Sequence, residues 1–252
     1  MPAIPAKAGI HDPPAVPQDP IRLSKAVAAL AACSRREAEQ FITEGWVRVD
    51  GKVVVEPQSR VTTERIELDP KGRLQAVVPA TFLVHKPARM GSAGAQALLG
   101  AQAHWTGDES GVVRARSHAA GLVALLELPV PASGLSVFSQ DGRIIRKLEE
   151  DAVLLEQELL AEVDGTIAPG GLERLCRGLV LEGHPLPPAR VSWQSEKRLR
   201  IAVKGIHPDA VPWMCRQVGL ELTALRRIRI GRVSMAGLPV GQWRYLAPGE
   251  KF

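Results

Sequence analysis

The chain has only three cysteines, Cys33, Cys176 and Cys215, in 252 residues. An odd number of widely scattered thiols excludes a disulfide framework and the paired spacing of a zinc site, so reduced cysteines and no metal are expected. Long apolar runs are missing too: no stretch approaches the roughly 18 residues of a membrane span. A basic start followed by an apolar signal core is also absent. These absences predict a cytoplasmic protein with no membrane partner. No internal repeat recurs at the periods of solenoids or propellers.

What is present is an ordinary globular composition, 45% hydrophobic and 23% charged, at a length that accommodates one or two domains. The net charge of +5 is unevenly spread: from residue 195 onward there are eleven Lys and Arg against four Asp and Glu. The basic excess lies wholly in the C-terminal quarter, which suits a polyanion partner; a solvated basic surface would give the same overall pI of about 9.4.

Residues 1–20 hold Pro2, Pro5, Pro13, Pro14, Pro17 and Pro20, which exclude helix and central strand and predict a flexible arm. Leu23, Val27 and Leu30 then recur at helical spacing. Ser34-Arg35-Arg36-Glu37 has the form of a capping box opening a second helix, with Gly45 as its stop. Val47 and Val49 alternate with Arg48, Asp50-Gly51 signals a tight hairpin, and 53–55 return as a strand. The turn Asp69-Pro70-Lys71-Gly72 marks a boundary, after which a strand is expected at 81–85. Further strands are expected at 135–139, 158–163, 198–203 and 224–230, and helices at 144–149, 171–179 and 213–218. Short strands interleaved with helices predict an α+β fold, with an arm at 1–20, a small domain at 21–75 and a larger mixed, mostly antiparallel domain at 80–250.

Arg35 and Arg36 fall in the first turn of a helix, where the macrodipole disfavours cations. Free amides beside two guanidinium groups would make a phosphate clamp. Arg22, Lys25, Arg48 and Lys52 lie in the same small unit and point to RNA contact. In the C-terminal quarter, Arg227 and Arg229 alternate with Ile228 and Ile230, so the two arginines are expected on one outward strand face.

The stretch "RLSKAVAALAACSRREAEQFITEGWVRVDGKVV" resembles the alpha-L RNA-binding motif, whose second helix faces RNA; the resemblance assigns that role to Arg35 and Arg36. The remainder is similar to the catalytic domain of bacterial ribosomal-RNA pseudouridine synthases. "FLVHKP" at 82–87 resembles a strand ending in Asn-Lys-Pro, which brings Lys86 into the RNA-contacting set. "ASGLSVFSQDGRIIRKL" at 132–148 resembles the family's Thr-Ser-Gly-Leu strand and following helix. "AEVDG" at 161–165, "LRRIRIGRVSM" at 225–235 and "LPVGQWRYL" at 238–246 match further landmarks in order. The resemblance implies structured RNA, ribosomal RNA foremost, as partner, no cofactor, and a monomer.

Its departures cluster at the implied catalytic pocket. Where the family has Arg-Leu-Asp this chain reads Glu127-Leu128-Pro129, so the catalytic aspartate is replaced by Pro129. The family's Lys-x-Tyr becomes Gln157-Glu158-Leu159, with Leu159 in place of the tyrosine beside the target base. The basic Arg-Gln-Val-Arg-Arg-Met corresponds to "DAVPWM" at 209–214. The isomerisation needs a carboxylate acting on the nucleotide, and proline offers none. The expectation is an RNA-binding protein without catalytic residues. Two rivals stay open: an active synthase using a displaced acid such as Glu127 or Asp141, and a scaffold that contacts protein, for which clustered arginines would be unnecessary. His85, where the family has Asn, is expected to be structural.

Overall fold

The computed structural model describes residues 19–70, 72 and 79–252. The proline-rich arm, except for its last two residues, and Lys71 of the expected turn lie outside them. The chain divides into two compact units.

The first unit is built from β1 (Ile21–Arg22), α1 (Leu23–Leu30), α2 (Arg35–Thr43), β2 (Val47–Val49), β3 (Lys52–Val53), β4 (Arg60–Val61) and β5 (Ile66–Leu68). The capping box forms as the sequence dictates: Ser34 Oγ accepts from Glu37 N at 3.2 Å, and Glu37 accepts from Ser34 N at 2.8 Å. Gly45, at φ +76°, ends the helix in the left-handed region. Asp50 and Gly51, both at positive φ, close the hairpin of β2 and β3, and β5 pairs with the other edge of β2. The apolar stripes of the two helices meet β2 and β4 in a core of Leu23, Val27, Ala38, Phe41, Ile42, Val47 and Val61. Arg114–Ala120 belongs to this unit as well; there Glu44 accepts hydrogen bonds from Arg116 N at 2.8 Å, from Ser117 N at 3.3 Å and from the Ser117 hydroxyl.

The second unit contains β6 (Thr81–Lys86), α3 (Ser92–Ala97), β7 (Val123–Leu125), β8 (Ser133–Ser139), α4 (Gly142–Glu150), β9 (Glu156–Gly165), α5 (Gly171–Arg177), β10 (Val180–Leu181), β11 (His184–Pro185), β12 (Ala189–Ser195), β13 (Arg198–Lys204), α6 (Ala210–Arg216), β14 (Leu220–Ile230), β15 (Val233–Ser234) and β16 (Trp243–Tyr245). Its sheet runs β12-β13-β9-β14-β8-β6-β16, with β15 on β14 and β7 on β8. Every pairing is antiparallel except β14 with β8, so the mixed, mostly antiparallel α+β architecture expected from the sequence is what forms. The β8–β14 contact is short, Ser133 and Gly134 against Arg226 and Arg227. Gly134 sits at φ +111°, and a Cβ there would lie 2.2 Å from the Arg227 carbonyl oxygen; only glycine allows the two backbones to meet.

Leu159, Ala161 and Val163 project from one face of β9 into a core shared with α5 and α6. A second cluster joins Leu83, Leu135, Val137 and Leu148 under α4, and a third packs Phe82, Trp243 and Tyr245. The helix expected at 213–218 begins instead at Ala210, because Pro212 falls in its first turn, where a missing N–H breaks no intrahelical bond. Strands β12 and β16 had no expectation in the sequence; their partners are β13 and β6.

Candidate functional site

In the first unit, the cations expected to face RNA are exposed. Arg22 precedes α1, Lys25 lies on its outer side, and Arg48 and Lys52 flank the hairpin turn. Arg35 and Arg36 open α2; Arg35 pairs with Glu39 at 3.1 Å, an exposed i,i+4 contact worth only a few tenths of a kcal/mol. No ion pair engages Arg22, Lys25, Arg36, Arg48 or Lys52 among the described residues, although Arg48 Nη1 donates to the Gly51 carbonyl at 3.3 Å.

In the second unit the expected basic residues are placed differently. Lys86 is not a surface contact: it is 1% exposed at the end of β6. Its ammonium is caged by the carbonyls of Met90 and Ala132 at 2.6 Å, Pro129 at 3.2 Å, Pro87 at 3.3 Å and Val130 at 3.4 Å. Five carbonyl oxygens sharing three protons offset the burial of the charge. Burial, and then Arg227, push the Lys86 pKa below its ordinary value. Lys86 thus ties the 129–132 turn to the end of β6. His85 meets the Leu238 carbonyl at 2.7 Å, a structural contact.

Arg227 and Arg229 do not share an outward face. The β9–β14 register slips between them, with Arg227 opposite Leu159 and Arg229 opposite Glu158. This bulge at Ile228 breaks the alternation that the sequence implied. Arg227 turns inward and is 0% exposed, donating from Nε to the Leu135 carbonyl at 2.9 Å and from Nη1 to Gln157 Oε1 at 2.8 Å. Arg229 pairs with Glu156 at 2.6 Å and Glu158 at 2.7 Å. Those carboxylates are also claimed by Arg190 and Arg200, so Arg229 serves a cross-strand ion network on the sheet face. Sequence reasoning missed this network because its members are far apart in the chain, from Glu156 to Arg229.

Two cavities adjoin the loop between β7 and β8. One, of about 190 Å³, is lined by Leu126, Glu127, Gln157, Ile206, His207 and Arg227. Leu126, at φ +47°, turns the chain there, and the exposed Glu127 accepts from the Ser92 hydroxyl. The other, of about 180 Å³, is lined chiefly by Pro129, Pro131, Pro212, Leu225, Thr223 and Asp209. Asp209 is the only carboxylate bordering this second cavity among the described residues; it lies 3.0 Å from the His207 ring. Asp141 borders neither cavity. It caps α4, accepting from Arg143 N at 2.9 Å, and the Arg143 side chain holds its carboxyl below the usual range.

Residues 21–66 match the S4 domain family. Over 91% of its length the chain is 31% identical to ribosomal large subunit pseudouridine synthase B of Bacillus subtilis (strain 168), covering 93% of that protein. The chain belongs to the bacterial ribosomal-RNA pseudouridine synthase family. The dual-specificity RNA pseudouridine synthase RluF of Escherichia coli (strain K12) is 26% identical, over 93% of this chain and 78% of RluF. A pseudouridylate synthase crystal structure has the same fold, with a TM-score of 0.56 at 18% identity, covering 90% of this chain and 96% of that one.

Leu159 is 0% exposed in the core that also holds Leu128 and Ala132. Val211 and Met214 are buried in the same core, whereas Asp209 is exposed and Pro212 and Trp213 are partly exposed. Pro129 lines a cavity whose wall is mostly proline and aliphatic carbon.

Proposed function

We propose that this member of the synthase family binds folded RNA, ribosomal RNA foremost, through its S4 unit and does not isomerise uridine. The observation that carries this reading is a set of replacements: Pro129, which lines a cavity, where the resemblance places the aspartate; Leu159, packed in the core, where it places the tyrosine; and Asp209, Pro212 and Trp213 where it places the arginines of the basic stretch. A phenolic side chain at position 159 would have to enter a closed hydrophobic core, which is costly unless it is fully partnered. The exposed cations Arg22, Lys25, Arg35, Arg36, Arg48 and Lys52 supply the phosphate contacts. A monomer in the cytoplasm, where the three unpaired thiols stay reduced, completes the reading.

A displaced carboxylate fares no better. Glu127 borders the other cavity and is engaged by Ser92, and Asp141 is a helix cap. Mass spectrometry of ribosomal RNA from cells with and without the gene tests the proposal. Identical pseudouridine maps are expected; a site that vanishes on deletion and returns with the wild-type gene would overturn it.

A further inference from the structure

Arg227 is a buried cation without a counter-charge. Nε and Nη1 are satisfied by the Leu135 carbonyl and the neutral Gln157 side chain, but Nη2 has no hydrogen-bond partner. No ion pair reaches the guanidinium among the described residues. Its neighbour Lys86 deepens the deficit, since that buried ammonium is also surrounded by carbonyls rather than carboxylates. An unpaired charge in an apolar interior is strongly unfavourable, and an anion brought from outside would relieve it. Burial alone pulls the Arg227 pKa down to about 9, which still leaves the group charged near neutrality.

Arg227 borders the cavity of about 190 Å³; its side chain is 0% exposed, so an anion there meets Nη2 once the guanidinium shifts toward the cavity. A water needs only about 10–15 Å³ of such volume, so the space holds several waters or one tetrahedral oxyanion. Glu127, Val153, Gly205 and His207 form an exposed rim through which a solute can enter. The inner wall of Leu126, Ile206 and Pro208 is apolar and strengthens any charge interaction there. Among the described residues the one carboxylate lining the cavity, that of Glu127, accepts from the Ser92 hydroxyl.

We propose that this cavity is an oxyanion site in which a phosphate group is bound by Arg227 Nη2, with His207 at the rim. The shared chemistry is phosphate, supplied either as a small anion or by the backbone of bound RNA. The site is separate from the cavity at Pro129; Pro208 lines both and stands between them.

The test uses the full chain, with thermal unfolding followed in chloride and in inorganic phosphate at constant ionic strength. Phosphate should raise the midpoint by a few degrees in a saturable way. Gln157→Glu places a carboxylate on the atom that already meets Arg227 Nη1. It should raise the midpoint in chloride and abolish the response to phosphate. Should that variant fail to fold, His207→Glu at the exposed rim gives a second reading: it should weaken the broadening of the inorganic phosphate ³¹P resonance seen with wild type.

Binding of a folded ribosomal RNA fragment separates the two sources. If the phosphate is RNA's own, inorganic phosphate competes with RNA and Gln157→Glu binds it more weakly; if it is a small anion, RNA affinity is unchanged while the thermal response persists. No saturable response in wild type, or an undiminished response in both variants, overturns the site. Loss of RNA binding through the S4 unit leaves these phosphate measurements intact, so the two readings fail separately.

Discussion

Lys86 Nζ lies 2.6 Å from the Ala132 carbonyl oxygen and 3.2 Å from that of Pro129, which joins the end of β6 to the loop leading into β8. The side chain therefore positions that loop from inside the protein. Lys86→Met removes the donor and strands several buried carbonyls, each costing on the order of 1–3 kcal/mol when left unpaired. A loss of about 3 kcal/mol in urea unfolding is expected. Lys86→Arg should not recover it, because a planar guanidinium does not fit a cage built around an ammonium. Wild-type stability in Lys86→Met would remove the positioning role.

The cross-strand network gives a pH dependence. The hydrogen bond from Arg229 holds the Glu156 carboxyl below its ordinary value of 4.5. Glu250 is also lowered: burial alone would raise it, but bonds from Arg244 at 2.6 and 2.8 Å prevail. A folded pKa below the unfolded one means that the unfolded state binds more protons as pH drops. Their contribution is thus fully present above about 4.5 and lost as pH falls through the folded values. Stability measured from pH 7 to pH 3 should decline below that point, and Glu156→Gln should make the decline shallower. A decline as steep in the variant as in wild type would exclude Glu156 as a contributor.

These features differ in how readily they could be read from the sequence. The capping box at Ser34 and Glu37 and the hairpin at Asp50-Gly51 depend on residues within a few positions of one another, so local chemistry specifies them. Arg227 and Arg229 were misread because strand alternation holds only while the register does, and their bulge is set by pairing with β9, about 70 residues earlier in the chain. Lys86 was misread for a similar reason: nothing near it in sequence announces that residues 129–132 supply its carbonyls. Pro129 and Leu159 were singled out by the family resemblance alone, whereas the closed packing around Leu159 required the structure.

Reversing the charge of both residues that open α2 should separate binding from folding. Arg35→Glu with Arg36→Glu replaces two cations at a helix N-terminus by anions, which favours the helix by about 0.3–1 kcal/mol. It also turns the Arg35–Glu39 pair into a repulsion of a few tenths of a kcal/mol. Net stability should therefore stay within about 0.5 kcal/mol of wild type. Affinity for a folded ribosomal RNA fragment should fall for many sequences alike, and the slope of log affinity against log salt should drop by about two. Unchanged affinity and slope would take the helix clamp out of the RNA-binding surface.

Pro129→Asp alone should not produce isomerase activity. A catalytic carboxylate has to be held within about 0.5 Å of its productive position, and a misplacement of about 1 Å can cost roughly a hundredfold. Here the backbone of residue 129 is bound by Lys86, but the side chain borders a cavity walled by Pro131, Pro212 and Leu225, with Asp209 as its only other acid among the described residues. Pro131 remains two residues on and restricts the residue before it. Glu127, two residues earlier, is an exposed acid, so the new carboxylate would gain a nearby like charge. No tyrosine can be recruited at Leu159 without opening the core. Incubating the variant with a ribosomal RNA fragment and quantifying pseudouridine by mass spectrometry should give the same blank as wild type. Pseudouridine formed by Pro129→Asp by itself would mean that the pocket is otherwise intact, and that the missing aspartate is the single lesion separating this chain from a working synthase.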